Sequence, residues 1–289
     1  MSPHLTAEAE IPHVRSFALV LALAHGGLAS ASAQQSDEEG SIARVWTFEE
    51  LYQSFCVQFL IEPASLAQSL PGVPLLPASA VEGLHPSLRS VITAQPEYAS
   101  WTPSRLCLLY FGRFEAGGRR IRQEERRKAP MLGLWTVAAG APAAGDRQDV
   151  AVELFTNSSS IESHAKLAGL EIGSVRTSAA RAPEDEDGRP SPNDRYGLRA
   201  GKAQINWEGR AAGDTVPMPE PLAIDFRGRG RRGGWVNGTL SLTARASGSM
   251  IGALKVAGKG ELATALLKSP IRFVGPGFLG GGGTVRFQR

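Results

Sequence analysis

From Phe55 to Ile61 the chain reads FCVQFLI, with Phe55, Val57, Phe59 and Ile61 on one side and Cys56, Gln58 and Leu60 on the other. This period-two alternation predicts a strand. Pro63 opens a short helix over ASLAQSL, which Pro71-Gly72 stops, and a second short helix is predicted around His85–Thr93. RLCLLYFGRF (105–114) is the next strand, turned at Ala116-Gly117-Gly118. MLGLWTVAA (131–139) is apolar on both faces and reads as a central strand. DVAVELF (149–155) follows it as another strand, and then Asn157-Ser158-Ser159 caps a helix from Ser160 to about Ala168. Later strands are predicted at AQINWEG (203–209), LAIDF (222–226), WVNGTLSLTARA (235–246), ALKVAG (253–258), PIRFVG (270–275) and TVRF (284–287). RAPEDEDGRPSPND (181–194) and EGRAAGDTVPMPEP (208–221) read as polar loops. No repeat and no linker divides the chain into two cores. The pattern is α+β, mainly β, with a few short helices around one closed or nearly closed sheet.

The N-terminal 33 residues have a different pattern. FALVLALA (17–24) follows Arg15 and precedes Ala31-Ser32-Ala33, the three parts of a secretory signal peptide. The apolar run is too short to cross a bilayer, which takes about 20 residues. Cleavage near Ala33 is expected, leaving a disordered segment over 34–44 and a single domain over 45–289, secreted or periplasmic. Glu8 and Glu10 fit a signal poorly. A start at Val14 instead of Met1 would give the basic lead VRSFALVLALA, so the start is open between the two. No cysteine stands at lipobox spacing.

Composition narrows the classes. Apolar residues make up 42% of the chain, enough for a sizeable core, and the net charge of +3 does not by itself suggest a nucleic-acid partner. The six lysines are Lys128, Lys166, Lys202, Lys255, Lys259 and Lys268. The two cysteines, Cys56 and Cys107, fit either a disulfide in an oxidising compartment or two buried thiols in neighbouring strands. There is no CxxC, and only His85 and His164 follow the signal segment, so no metal site and no cofactor is expected.

The order of elements carries a resemblance. FCVQFLIEPASLAQSLPG, RLCLLYFGRFEAGG, MLGLWTVAA and DVAVELFTNSSSIESHAKLAGLEIGSVR, taken in sequence, resemble the acetoacetate decarboxylase-like family over roughly Ser54–Arg176. SGSMIGALKVAGKGELATALLKSPIRFVG resembles the family's last part loosely. The resemblance implies a closed, cone-like β-barrel around an apolar cavity. It also implies a Schiff-base lysine in a Gly-x-Pro-Lys-Lys-like turn, whose neighbour lowers its pKa so that a neutral amine attacks a ketone. Here the matching stretch, Ala168–Ser174, places Ile172 and Gly173 at the lysine positions. Lys166 falls too early, on the helix, and Lys128 follows a mixed-charge run. Glu125 lies near an acidic position of the family and is the one weak catalytic candidate, although RQEERRK reads more simply as a solvated run.

The remaining motifs have plainer readings. Gly228–Gly233 matches GxGxxG, yet strand-like WVNGTLSL follows where a dinucleotide site needs a helix. RGRGRRGGW is therefore a flexible hairpin, and its cations suit an anionic surface, such as lipid headgroups or an acidic polysaccharide, better than nucleic acid. Gly280–Gly283 is a sharp turn or an anion cradle. Asn157 and Asn237 stand in glycosylation patterns. The expected function is binding of a small apolar or amphipathic ligand in a central cavity, without Schiff-base decarboxylation. The alternatives are carboxylate or arginine chemistry on the same scaffold, and a structural, envelope-associated protein.

Overall fold

A computed structural model describes residues 45–121, 129–140, 147–180, 194–218, 220–275 and 277–288. The signal peptide, the segment over 34–44, Glu125 and Lys128 lie outside the described residues.

The strands form two sheets rather than one. In the first, β1 (Trp46–Ile61), β2 (Thr102–Ala116), β4 (Met131–Gly140), β5 (Arg147–Thr156), β10 (Leu222–Arg229), β11 (Trp235–Leu242) and β15 (Gly282–Gln288) pair in the order β1-β15-β11-β10-β5-β4-β2, and β2 pairs back onto β1. That closes a seven-stranded barrel. Short strands β3 (Arg119–Arg120), β6 (Gly173–Ser174) and β13 (Arg272–Val274) extend it. The closure is uneven. β1 and β2 pair along nearly their whole length, while β5 and β10 meet in parallel through Phe226↔Asp149 and Arg227↔Val150. The second sheet holds β7 (Arg176–Ala180), β8 (Asp194–Ala200), β9 (Ala203–Pro217), β12 (Ala246–Gly258) and β14 (Gly277–Leu279), in the order β14-β12-β9-β8-β7.

β1 starts at Trp46, well before the alternation at Phe55 suggested. The inward residues Trp46, Phe48, Leu51 and Cys56 belong to one core cluster, although their spacing is not uniformly two. Glu50 takes a φ of 60°, and the β1–β2 register shifts between Leu51 and Gln53. A bulge turns successive side chains out of step, which hides the strand from a period-two reading. The predicted polar loop over 208–221 is a correction of a different kind: its first ten residues continue β9, paired with β12. Gly209 faces Gly252 in that ladder, and a Cβ on Gly252 would lie 2.6 Å from the Trp207 ring. The two glycines thus leave room for a buried tryptophan, 1% exposed, on the barrel-facing side.

Helices are short. The ASLAQSL helix contracts to a 3-10 turn over Pro63–Leu66, α1 spans Pro86–Ala94 and α2 spans Ser159–Leu167. α3 (Glu261–Lys268) falls in a stretch where the sequence reading places no helix, and its buried Leu262 and Leu266 stand one turn apart on the face turned to the core. It docks on the core between the barrel and the second sheet, where Phe55, Tyr196 and Trp207 stack. Among the described residues no helix is long and apolar enough to cross a membrane.

Candidate functional site

The barrel interior has two unlike ends. At one end Trp46, Phe48, Phe114 and Phe287 fill the lumen, with Trp46 edge-on to Phe287 at 4.8 Å and Phe48 against Phe114 at 5.1 Å. At the other end the side chains are shorter, and a cavity of about 340 Å³ opens. Its wall alternates inward from β2 (Arg105, Cys107, Leu109), β4 (Leu134, Thr136), β10 (Leu222, Ile224) and β11 (Leu240, Leu242). Phe278 of β14 and Met218 cover it.

Cys56 and Cys107 are directly opposed in the β1–β2 ladder, with Cα atoms 4.1 Å apart, and the structure joins them in a disulfide. The Cys56 carbonyl accepts the Gly275 N–H at 2.9 Å, so its backbone polar groups point away from β2. Such a non-hydrogen-bonded pair brings opposed side chains closest together. The sulfurs line the cavity wall.

The polar end of the cavity is built across three adjacent strands. Arg105 on β2 lies opposite Thr136 on β4, and Asp149 follows on β5. Arg105 Nη2 is 2.6 Å from Asp149 Oδ2, and the Thr136 hydroxyl lies 3.4 Å from the same oxygen. The Asp149 side chain is 8% exposed and that of Arg105 28% exposed. Arg105 and Thr136 also border an outer groove of about 300 Å³ that holds Asp149 and His85. These two residues thus form the partition between the lumen and the outside. His85 caps α1, its Nδ1 accepting the Ser87 N–H at 3.2 Å, and its ring lies on Phe273. Partial burial lowers its pKa.

The positions singled out from the family resemblance are not brought together around this cavity. Ile172 is 7% exposed within the lumen core, and Gly173 pairs with Phe155 in β6. Lys166 is exposed and bound to Glu162 at 2.5 Å, and all five described lysines are exposed. None of them lines the cavity. Asn157 is committed to the fold: its Oδ1 accepts from the Met131 N–H, and its Nδ2 donates to the Ala129 carbonyl and the Thr177 hydroxyl. At Gly280–Gly283 the positive φ values of Gly280 and Gly281 make a turn, and the Gly282 N–H donates to Thr243 rather than facing outward. The GxGxxG segment is the β10–β11 hairpin.

Sequence reasoning missed an acidic cavity of about 270 Å³ outside the barrel, where Glu153, Glu171 and Glu261 converge from three distant stretches with Ser69 and Arg229. Ser69 donates to Glu261. Desolvation, then Glu261 and Glu171, raise the Glu153 carboxyl to about 7. No local signal marks this cluster, because each glutamate stands alone in its own segment. Among the described residues no group of His, Cys, Asp and Glu is arranged to hold a metal ion.

No family model and no curated protein sequence matches the chain. Solved structures do. The enduracididine biosynthesis enzyme MppR, solved with pyruvate, is 11% identical with a TM-score of 0.51, covering 84% of this chain and 89% of that one. Acetoacetate decarboxylase from Legionella pneumophila is 12% identical with a TM-score of 0.47, covering 83% and 84%. An acetoacetate decarboxylase-like enzyme from Sphingomonas wittichii is 9% identical with a TM-score of 0.46, covering 85% and 90%. At such identities a likeness speaks of the fold and not of the chemistry. With its closed barrel, lumen cavity and short flanking helices, the chain has the acetoacetate decarboxylase-like fold.

Proposed function

We propose that this is an exported protein that binds a small amphipathic molecule in the barrel cavity and does not perform Schiff-base chemistry. The observation that carries the reading is the cavity itself: about 340 Å³, apolar along its walls, with Arg105 and Thr136 at one end and no described lysine in its lining. A pocket of that size lies at the small end of the range for ligand sites, where apolar walls give affinity and a few polar groups give orientation. Imine formation needs a water-poor amine of lowered pKa, and the described lysines all stand in solvent.

The test uses octanol, octanoate and pyruvate as probes; pyruvate is included because it occupies the MppR structure. A ligand that binds only the folded state raises the melting temperature in a saturable way. Octanol or octanoate should do so, and Leu134→Phe, which narrows the lumen, should abolish the shift. If no probe shifts the wild-type protein, the cavity is a passive packing gap and the structural reading replaces this one. Borohydride trapping with acetoacetate should leave the protein mass unchanged. An adduct on Lys128 or Lys166 would instead establish an enzyme. Arginine–carboxylate chemistry is the second reading, favoured by the Arg105–Asp149 pair at the partition. For export, N-terminal sequencing of protein recovered from the periplasm or medium should begin at Gln34.

A further inference from the structure

On the outside of the barrel the β10–β11 hairpin and the end of α2 are fused into one rim. The Arg231 N–H donates to the Gly169 carbonyl at 2.9 Å, the Glu171 N–H donates to the Arg229 carbonyl at 3.0 Å, and Leu170 bridges to Gly230. Between them lies a groove of about 670 Å³ bordered by Arg231, Arg232, Lys166, Leu167 and Trp235. Two properties of this rim occur side by side. Arg231 and Arg232 are exposed and, among the described residues, have no ion-pair partner. Leu167, the last residue of α2, is 83% exposed, more than any other large apolar side chain described. Two acids lie nearby. Glu162 binds Lys166, and Glu171 lines the separate acidic cavity with Glu153 and Glu261.

We infer that this rim docks the protein on an anionic phospholipid surface, with Arg231 and Arg232 on the lipid phosphates and Leu167 inserted among the acyl chains. Cations beside a protruding apolar residue suit an interface that is charged at its surface and apolar just beneath. A nucleic acid fits less well. The base-stacking face that Trp235 would offer is covered by Arg227, whose guanidinium carbon lies 5.1 Å from the ring centroid. A soluble polyanion of any kind gives Leu167 nothing to bury against.

The experiment is vesicle co-sedimentation of the full chain, using phosphatidylcholine alone and phosphatidylcholine with about one third phosphatidylglycerol. Binding should require phosphatidylglycerol and weaken as salt is raised. Arg231→Gln and Arg232→Gln should each weaken it about fivefold. Leu167→Ser should weaken it with the charge unchanged, while heparin binding, if any, should not respond to that change. These side chains are exposed, so the variants should keep the wild-type melting temperature. Equal sedimentation with both vesicle types would overturn the proposal, as would a double arginine variant that sediments like wild type. A Leu167→Ser variant that sediments like wild type would reduce the rim to a polyanion site and overturn the membrane assignment.

Discussion

The two ends of the barrel lumen use the same alternating strands for opposite purposes. At one end Trp46, Phe48, Phe111 and Phe114 are all within 1% of full burial, and their rings interlock at 4.7–6.0 Å. At the other, Leu109, Leu134, Leu240 and Leu242 are nearly as buried, yet they leave about 340 Å³ unfilled. Ring size accounts for the difference. Aromatic side chains reach across a seven-stranded lumen, whereas leucines do not meet at the centre. Burial from solvent and filling of space are therefore separate properties. The cavity end also carries a covalent and a charged link, the Cys56–Cys107 disulfide and the Arg105–Asp149 pair.

That contrast can be broken from either side. Phe114→Ala should cost the most, about 3–5 kcal/mol, because it removes a ring from a filled layer; urea denaturation would measure it, and a loss below that of Leu134→Ala at the cavity end would contradict the two-ended description. Opening the disulfide by Cys56→Ala with Cys107→Ala should cost roughly 4 kcal/mol in the chain-entropy model for a separation of 51 residues. The wild-type protein should show no reactive thiol under denaturing, non-reducing conditions. Arg105→Met should cost about 3 kcal/mol, since it removes the cation 2.6 Å from a mostly buried carboxylate. Arg105→Met combined with Asp149→Leu should recover most of that, because the pair is replaced by apolar groups of similar bulk.

The smallest effect concerns the outer acidic cavity. Glu153 has its folded pKa raised from 4.5 to about 7. The folded state thus holds a proton that the unfolded state has already released. The associated stability is fully present below pH 4.5 and is lost as pH rises through about 7. Because Glu153 still reaches solvent from its cavity, screening reduces the effect to about 1 kcal/mol. Glu153→Gln should flatten the stability profile across that window. An unchanged slope would show that the Glu153 carboxyl is not raised in the folded state.

Local pattern was enough to read MLGLWTVAA as a doubly buried strand, to place the Ser158-capped helix within a residue, and to see the GxGxxG segment as a hairpin. In each case the signal lies within a few neighbouring residues. It failed where partners are remote. The Glu50–Tyr52 irregularity put the first half of β1 out of period, and polar 208–217 became a strand because β12 supplies its hydrogen bonds. The acidic cavity could not be read for the same reason, since its three glutamates meet only after the barrel closes and α3 docks.

The sequence by itself determined which positions alternate, where the glycine turns fall, and that each of two strands carries a cysteine, because these follow from backbone stereochemistry and hydrophobic period. Only the tertiary structure decided that Cys56 sits opposite Cys107, that seven strands close while five form a second sheet, and that one end of the lumen is left empty. Register and strand order depend on hydrogen bonds between segments far apart in the chain, and unfilled volume is a property of all the facing side chains at once.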